Sequence, residues 1–414
     1  MMALVFPGQG AQLVGMGRDF RNRYPAARAV FELADAVLSR HVSELCFEGS
    51  SDALARTRYT QAALFTTEVA IFEALKSEFM LPVAFAAGHS LGEFSALVSA
   101  GALSFEDALR LVDRRATLMA EASEGGQGLI AVSEFSAGET EAVVQELHGC
   151  GLGLDIACFN GPDQTVLAGD SAALTAASSV LEARGASIVR LNVQGAFHSR
   201  WMSPCVTPFA QTLAAACWQS LHHPVVANVT ARPYPSEIHL WPALLESQLC
   251  SPVRWLQTVR FLCSQGVTHV LELGPTPVLS RLATAVLPAL RTTAVCTTAD
   301  VDGLGAFLAE VPEDGLRFAF LGRCLAHAAA TRNEAGDAAT EDFERECREP
   351  YQAVMQRYQA LREQHQAITS DDMRVAVEML RRVMEHKQVA DSERYERWQE
   401  LSWFDRQGLV TTSA

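Results

Sequence analysis

Gly88-His89-Ser90-Leu91-Gly92 has the form GxSxG and lies between an apolar run, Val83 to Ala87, and a helix-like run, Leu91 to Ala100. A serine at such a strand-to-helix turn is a candidate nucleophile. The flanking glycines let neighbouring backbone approach, and the hydroxyl is presented at a helix N-terminus, where the N–H of Leu91 can meet an oxyanion. The plainer reading of the same string is a tight turn with an N-capping serine. A nucleophilic serine also needs a base. His198, in Gly195-Ala196-Phe197-His198-Ser199, follows a strand-like run and lies downstream of Ser90, an order that suits such elbows. Taken alone, as one of eleven histidines, it suits a satisfied structural role better than that of a base. No Asp or Glu stands out as a third member, which leaves a backbone carbonyl or an amide side chain to orient the imidazole.

Arg115 is the most informative charge. Ser104-Phe105-Glu106-Asp107 has capping-box spacing, so a helix should begin at Phe105. Ala108, Leu111, Val112, Leu118 and Met119 form its buried stripe, and Arg115 falls inside that stripe while Arg110 and Arg114 face water. A buried guanidinium must meet an anion, either an internal carboxylate or the carboxylate of a substrate held as a bidentate pair. Pro7-Gly8-Gln9-Gly10 follows another apolar run, but Leu13 stands where a dinucleotide fingerprint would need its third glycine. The turn can still supply a second oxyanion N–H, since sites in open α/β sheets lie outside the carboxyl ends of the strands. His222 and His223 are adjacent and point apart in extended chain, so they make no metal pair.

Strand and helix patterns alternate through the first 300 residues, the sign of a mainly parallel sheet covered by helices. Met2 to Phe6 and Val83 to Ala87 read as strands, Thr60 to Phe79 as a helix, and Val225 to Ala227 and His269 to Glu272 as later strands. Between Gly128 and Val193 the rhythm changes. Leu129 to Val132, Asp155 to Phe159, Gln164 to Ala168 and Ser187 to Val193 read as strands, with helices over Ala137 to Leu147 and Ala172 to Ala183. That βαββαβ order is a ferredoxin-like subdomain, expected over 127–194 and inserted into a larger α/β unit made of 1–126 and 195–300. Beyond about Glu310 the strands stop. Thr331 to Thr340 suits a linker, and two amphipathic helices carry stripes at Phe343, Cys347, Tyr351, Val354, Tyr358 and Leu361, then at Met373, Val377, Leu380 and Met384. These stripes of a helical extension over 311–414 either pack back on the catalytic body or dock a partner.

Composition narrows the chemistry further. A net charge of -15, from 33 Lys and Arg against 48 Asp and Glu in 414 residues, argues against a nucleic-acid partner. Lys76 and Lys387 are the only lysines, and no GxxxxGK[ST] loop exists, which removes phosphate-loop and Schiff-base chemistry. The ten cysteines show no CxxC and no paired Cys/His spacing, so neither zinc nor a disulfide framework is expected. Lacking a signal-peptide pattern and a membrane-spanning run, the chain reads as cytoplasmic with no membrane partner.

Taken together, FPGQGAQ at 6–12, TQAAL at 60–64, AGHSLGEFSALVSAGALSFEDAL at 87–109, RRATLM at 114–119, FNGPDQTVLAG at 159–169, GAFHSRWM at 195–202, SPVRW at 251–255 and LELGP at 271–275 resemble the malonyl-CoA:acyl carrier protein transacylase family. That resemblance covers about residues 3 to 295. It implies a hydrolase-like α/β core with a ferredoxin-like insertion. It also implies malonyl transfer from malonyl-CoA to the phosphopantetheine thiol of an acyl carrier protein, with no metal or resident cofactor. Carried over by motif, Ser90 would be the nucleophile and His198 the base, and Gln9 and Leu91 would supply the oxyanion N–H groups. Gln248 would orient His198 through its backbone carbonyl. Arg115 would grip the malonate carboxylate, with Gln61, Asn160 and Met119 beside the acyl group and Phe197 disfavouring an α-methyl branch. A discrete acyltransferase with a helical tail is similar to the trans-acting enzymes that serve polyketide synthase modules. Fatty-acid synthesis and an acyl hydrolase of the same fold are the alternatives.

Overall fold

The computed structural model describes residues 1–123, 126–193, 195–331, 341–364, 366–391, 393–395, 397–398 and 401. Among the described residues the strands are β1 (Met2–Phe6), β2 (Val83–Gly88), β3 (Gln127–Ser133), β4 (Leu154–Gly161), β5 (Gln164–Asp170), β6 (Ser187–Arg190), β7 (Val225–Ala227), β8 (Arg232–Pro233), β9 (His269–Leu273) and β10 (Arg291–Val295). Six of them form one sheet in the order β10-β9-β1-β2-β7-β8, parallel except for the antiparallel edge strand β8. The four inner strands are buried along their whole length, as parallel strands covered on both faces must be. Phe6 lies opposite Gly88 and Ala87 opposite Val226, so β1, β2 and β7 end side by side. The Pro7–Gly10 turn, the GxSxG elbow and the segment entering Asn228 therefore share one edge.

Helix Gly92–Ser99 leaves the elbow, and helix Phe105–Glu121 follows it, capped by the Ser104 hydroxyl, which accepts from the Asp107 N–H as the capping-box spacing requires. Helix Thr57–Glu78 packs against the latter, with Phe65 stacked on Phe105 at 5.5 Å between ring centroids. A second sheet, β4-β5-β3-β6, is antiparallel throughout and carries helices Ala137–Gly149 and Ser171–Ala183, the βαββαβ arrangement expected. It is tied to the first sheet's unit where the Phe159 N–H donates to the Val253 carbonyl at 2.9 Å and the Val253 N–H to Ala157 at 2.8 Å.

Several expectations need correction. β6 ends at Arg190 and not at Val193, because Leu191 and Val193 turn away to line a cavity. The edge strands β8 and β10 and the helix Glu313–Ala330 were not anticipated. That helix also changes the reading of the tail, since it is mainly what the two amphipathic stripes cover. Cys347, Val354, Tyr358, Leu361, Met373, Val377, Leu380 and Met384 are buried with Phe318, Phe320, Leu321 and Leu325 in a cluster of their own. The catalytic body is touched more narrowly, as where the Arg362 guanidinium lies 4.0 Å from the Phe85 ring centroid on β2. Most of the linker expected over 331–340 lies outside the described residues. Among the described residues, no helix is long and apolar enough to cross a membrane, and no group of three or more His, Cys, Asp or Glu side chains is placed to hold a metal ion.

Candidate active site

Ser90 has φ 54°, the left-handed conformation that costs a non-glycine residue roughly 1–2 kcal/mol. Close backbone crossings hold it there. A Cβ on Gly88 would lie 1.9 Å from the Gly92 carbonyl, and one on Gly92 would lie 2.1 Å from the Phe6 oxygen, so both glycines are steric requirements. Both polar groups of the Ser90 peptide are also occupied. Its N–H donates to Asn228 Oδ1 at 2.7 Å, and its carbonyl accepts from Gln248 Nε2 at 2.9 Å.

The Ser90 hydroxyl lies 2.7 Å from His198 Nε2, and His198 Nδ1 lies 2.8 Å from the Gln248 carbonyl oxygen. A carbonyl only accepts, so Nδ1 carries the proton and Nε2 presents its lone pair to the serine. Burial, then the Arg115 cation, depress the imidazole to about 3 despite the stabilising Gln248 bond. The ring is therefore neutral, as a proton acceptor must be.

Arg115 is 1% exposed and faces the same serine. Its Nη2 donates to Ser90 Oγ at 3.0 Å and to Gln248 Oε1 at 2.9 Å, and its Nη1 donates to Gln61 Oε1 at 2.6 Å. Every one of these acceptors is neutral. Burial lowers its affinity for the proton to about 10, against the raising influence of Glu93, so the cation persists at neutral pH. Among the described residues no carboxylate pairs with it directly, and its Nε is buried without a partner. Of the two anions open to it, the internal carboxylate is thus reached only across the Gln248 amide.

A cavity of about 430 Å³ opens on this group, lined by Ser90, Arg115, His198, Gln9, Leu91, Gln61, Asn160, Met119 and Phe197 among others. Neither the Gln9 nor the Leu91 N–H has a hydrogen-bond partner among the described residues, so both are free to meet an oxyanion. Asn160, on β4, joins the two sheets by accepting through Oδ1 at 2.9 Å from the His89 ring. Met119 receives the Gln61 amide through its sulfur at 3.5 Å. All ten residues expected at the site are brought together, since Gln248 reaches the same group through both its backbone carbonyl and its side chain.

Three residues here were not singled out from the sequence. Asn228 bonds both Ser90 N–H and, through Nδ2 at 2.6 Å, the Gly88 carbonyl. Glu93 and Tyr234 lie buried behind it, joined by a hydrogen bond. The one available signal was a carboxylate on the apolar helix three residues past Ser90.

Residues 3–301 match the family described as acyl transferase domain. The chain is 38% identical over 296 residues to a malonyl CoA-acyl carrier protein transacylase of Bacillus subtilis (strain 168), covering 71% of this chain and 93% of that protein. It is 39% identical over 291 residues to the polyketide biosynthesis protein ThaF of Burkholderia thailandensis, covering 70% of this chain but 24% of that much longer one. Among solved structures it is similar, with a TM-score of 0.70 and 34% identity, to a chain of the complex of a type II polyketide synthase acyl-carrier protein with its malonyl-transacylase, over 73% of this chain and 98% of that one. Fold, elbow and relatives agree over the same part of the sequence, and the chain belongs to the acyl transferase family, among the malonyl-CoA:acyl carrier protein transacylases.

Proposed function

We propose that this protein moves a malonyl group from malonyl-CoA, through an ester on Ser90, to the phosphopantetheine thiol of an acyl carrier protein. The observation that carries the reading is a buried guanidinium, held among the described residues by neutral acceptors, 3.0 Å from the serine hydroxyl. Such a cation selects an acyl group that brings its own carboxylate. His198 takes the Ser90 proton as Oγ attacks the thioester carbon. The resulting oxyanion is received by the Gln9 and Leu91 N–H groups, and on its collapse the imidazolium returns the proton to the departing CoA sulfur. The carrier thiol then gives its proton to His198 and attacks the ester, and the proton passes back to Ser90 Oγ as the ester bond breaks. Gln61, Met119, Asn160 and Phe197 shape the acyl pocket, Phe197 leaving little room for an α-branch.

The catalytic unit in this reading comprises 1–126 and 195–300, with 127–194 inserted and 311–414 appended. Ser90→Ala is expected to abolish covalent labelling by radiolabelled malonyl-CoA, and label retained on that variant would refute the assignment. Supply in trans to a polyketide synthase is supported by the likeness to ThaF. Offered equimolar carrier proteins from polyketide and fatty-acid systems, the malonyl-enzyme should load the polyketide carrier faster. Preference for the fatty-acid carrier would reverse the pathway.

A further inference from the structure

Behind the reacting groups lies a carboxylate that touches none of them. Glu93, 1% exposed, stands at the start of helix Gly92–Ser99. Its Oε2 accepts from Gln248 Nε2 at 2.6 Å and from the Asn228 N–H at 3.2 Å, and its Oε1 accepts from the Tyr234 hydroxyl. Gln248 and Asn228 are the two residues whose amides hold the Ser90 peptide, through its carbonyl and its N–H respectively. Gln248 also carries the backbone carbonyl that fixes the His198 tautomer. The Gln248 amide can be read only one way round, because its oxygen must face the Arg115 donors and its nitrogen must face the two acceptors. One buried oxygen thus joins the serine's strained peptide to the residue that aligns its base.

We propose that Glu93 is a positioning residue for acyl transfer, acting through Gln248 and Asn228 on the placement of Ser90 and His198. This rests on the transacylase reading above. In metal sites, the outer acceptors that orient the ligating side chains commonly cost about 10–100-fold in affinity or activity when lost, and a loss of that scale is expected for Glu93.

The test is rapid-quench measurement of malonyl-seryl formation on the full chain over a range of malonyl-CoA concentrations. Glu93→Ala removes the acceptor, and Glu93→Leu removes it while filling its volume, so the leucine variant carries the test if the alanine variant does not fold. Either should lower the maximal acylation rate about 10–100-fold, with the half-saturating malonyl-CoA concentration within about 3-fold of wild type. Glu93→Gln keeps an acceptor oxygen for Gln248 and Asn228 and turns its amide toward the Tyr234 oxygen, so it should recover most of the loss. Acylation by Glu93→Leu within about 2-fold of wild type, or Glu93→Gln as slow as Glu93→Leu, would overturn the proposal while the labelled wild type upholds the reading. A wild type that takes no label would overturn both.

Discussion

Arg115 combines two roles that can be separated by experiment. As the cation within hydrogen-bond reach of the Ser90 hydroxyl, it should contribute a charged hydrogen bond of roughly 1.5–3 kcal/mol to a malonyl group and nothing comparable to an acetyl group. Arg115→Ala should therefore cut kcat/KM for malonyl transfer by about 10–100-fold and acetyl transfer far less. Equal losses would refute the carboxylate clamp. The same cation, after burial, is what holds the His198 imidazole down to about 3. The acid limb of kcat/KM for acylation should then fall well below the ordinary imidazole range near 6.5, and Arg115→Ala should move it upward. An unmoved limb would show that burial alone sets it. Ser90, His198 and Arg115 could be read from the sequence because each has a local signature: a glycine-flanked turn, a position after a strand, a charge inside an apolar stripe. Asn228 and Tyr234 have none, and Glu93 shows only as a carboxylate on an apolar helix, since their roles depend on which distant donors fold against them, up to 155 residues away for Gln248 and Glu93.

Parallel strands read clearly because burial on both faces makes them continuous apolar runs, and β1, β2, β7 and β9 were found in that way. The edge strands escaped for the same reason. β10 leaves Arg291 exposed and its middle half-buried, and β8 has two residues. At the turn from β2 into the helix after it, Gly92 is pressed against β1. Its added Cβ would meet two backbone oxygens, Phe6 at 2.1 Å and Pro7 at 2.6 Å, and no flexible side chain could move aside. Gly92→Ala should destabilise the chain by about 3 kcal/mol or more, seen as a lowered denaturation midpoint, and should displace Ser90. Near-wild-type stability would mean that β1 and the elbow can separate without cost. The tail's helices were half legible. Their two stripes were evident, but the helix they cover, Glu313–Ala330, buries so much of its circumference that no single polar face marks it.

Across the whole molecule, buried imidazoles make a contribution to stability that acid removes. His198 and His223 both bind protons more weakly folded than unfolded, chiefly because burial disfavours their charged forms. Below about pH 6.5 the unfolded chain takes up protons at these two groups that the folded chain refuses, so their contribution declines as pH falls, while burial raises the Glu68 and Glu93 carboxyls and gives them the opposite slope. Urea unfolding at about pH 7.5 and 5.5, wild type against His223→Leu, should show that the variant loses less stability, or gains more, toward the lower pH. An unchanged pH dependence in the variant would remove His223 from the account. The inserted antiparallel sheet bears on how the molecule is made. Ser90 and His198 are 108 residues apart, and the whole insertion lies between them. Yet β6 pairs with β3, Ile130 opposite Arg190, so the insertion returns the chain almost to where it left. Once that small sheet has formed, the loop still to be closed around the catalytic pair is less than half as long, and each halving eases closure by about 0.6 kcal/mol. The insertion thus serves as a splint if its sheet forms first: its pairings are closer in sequence than Ser90 and His198, and malonyl-labelling competence should then return after its strands, limited by the long-range closure that it shortens.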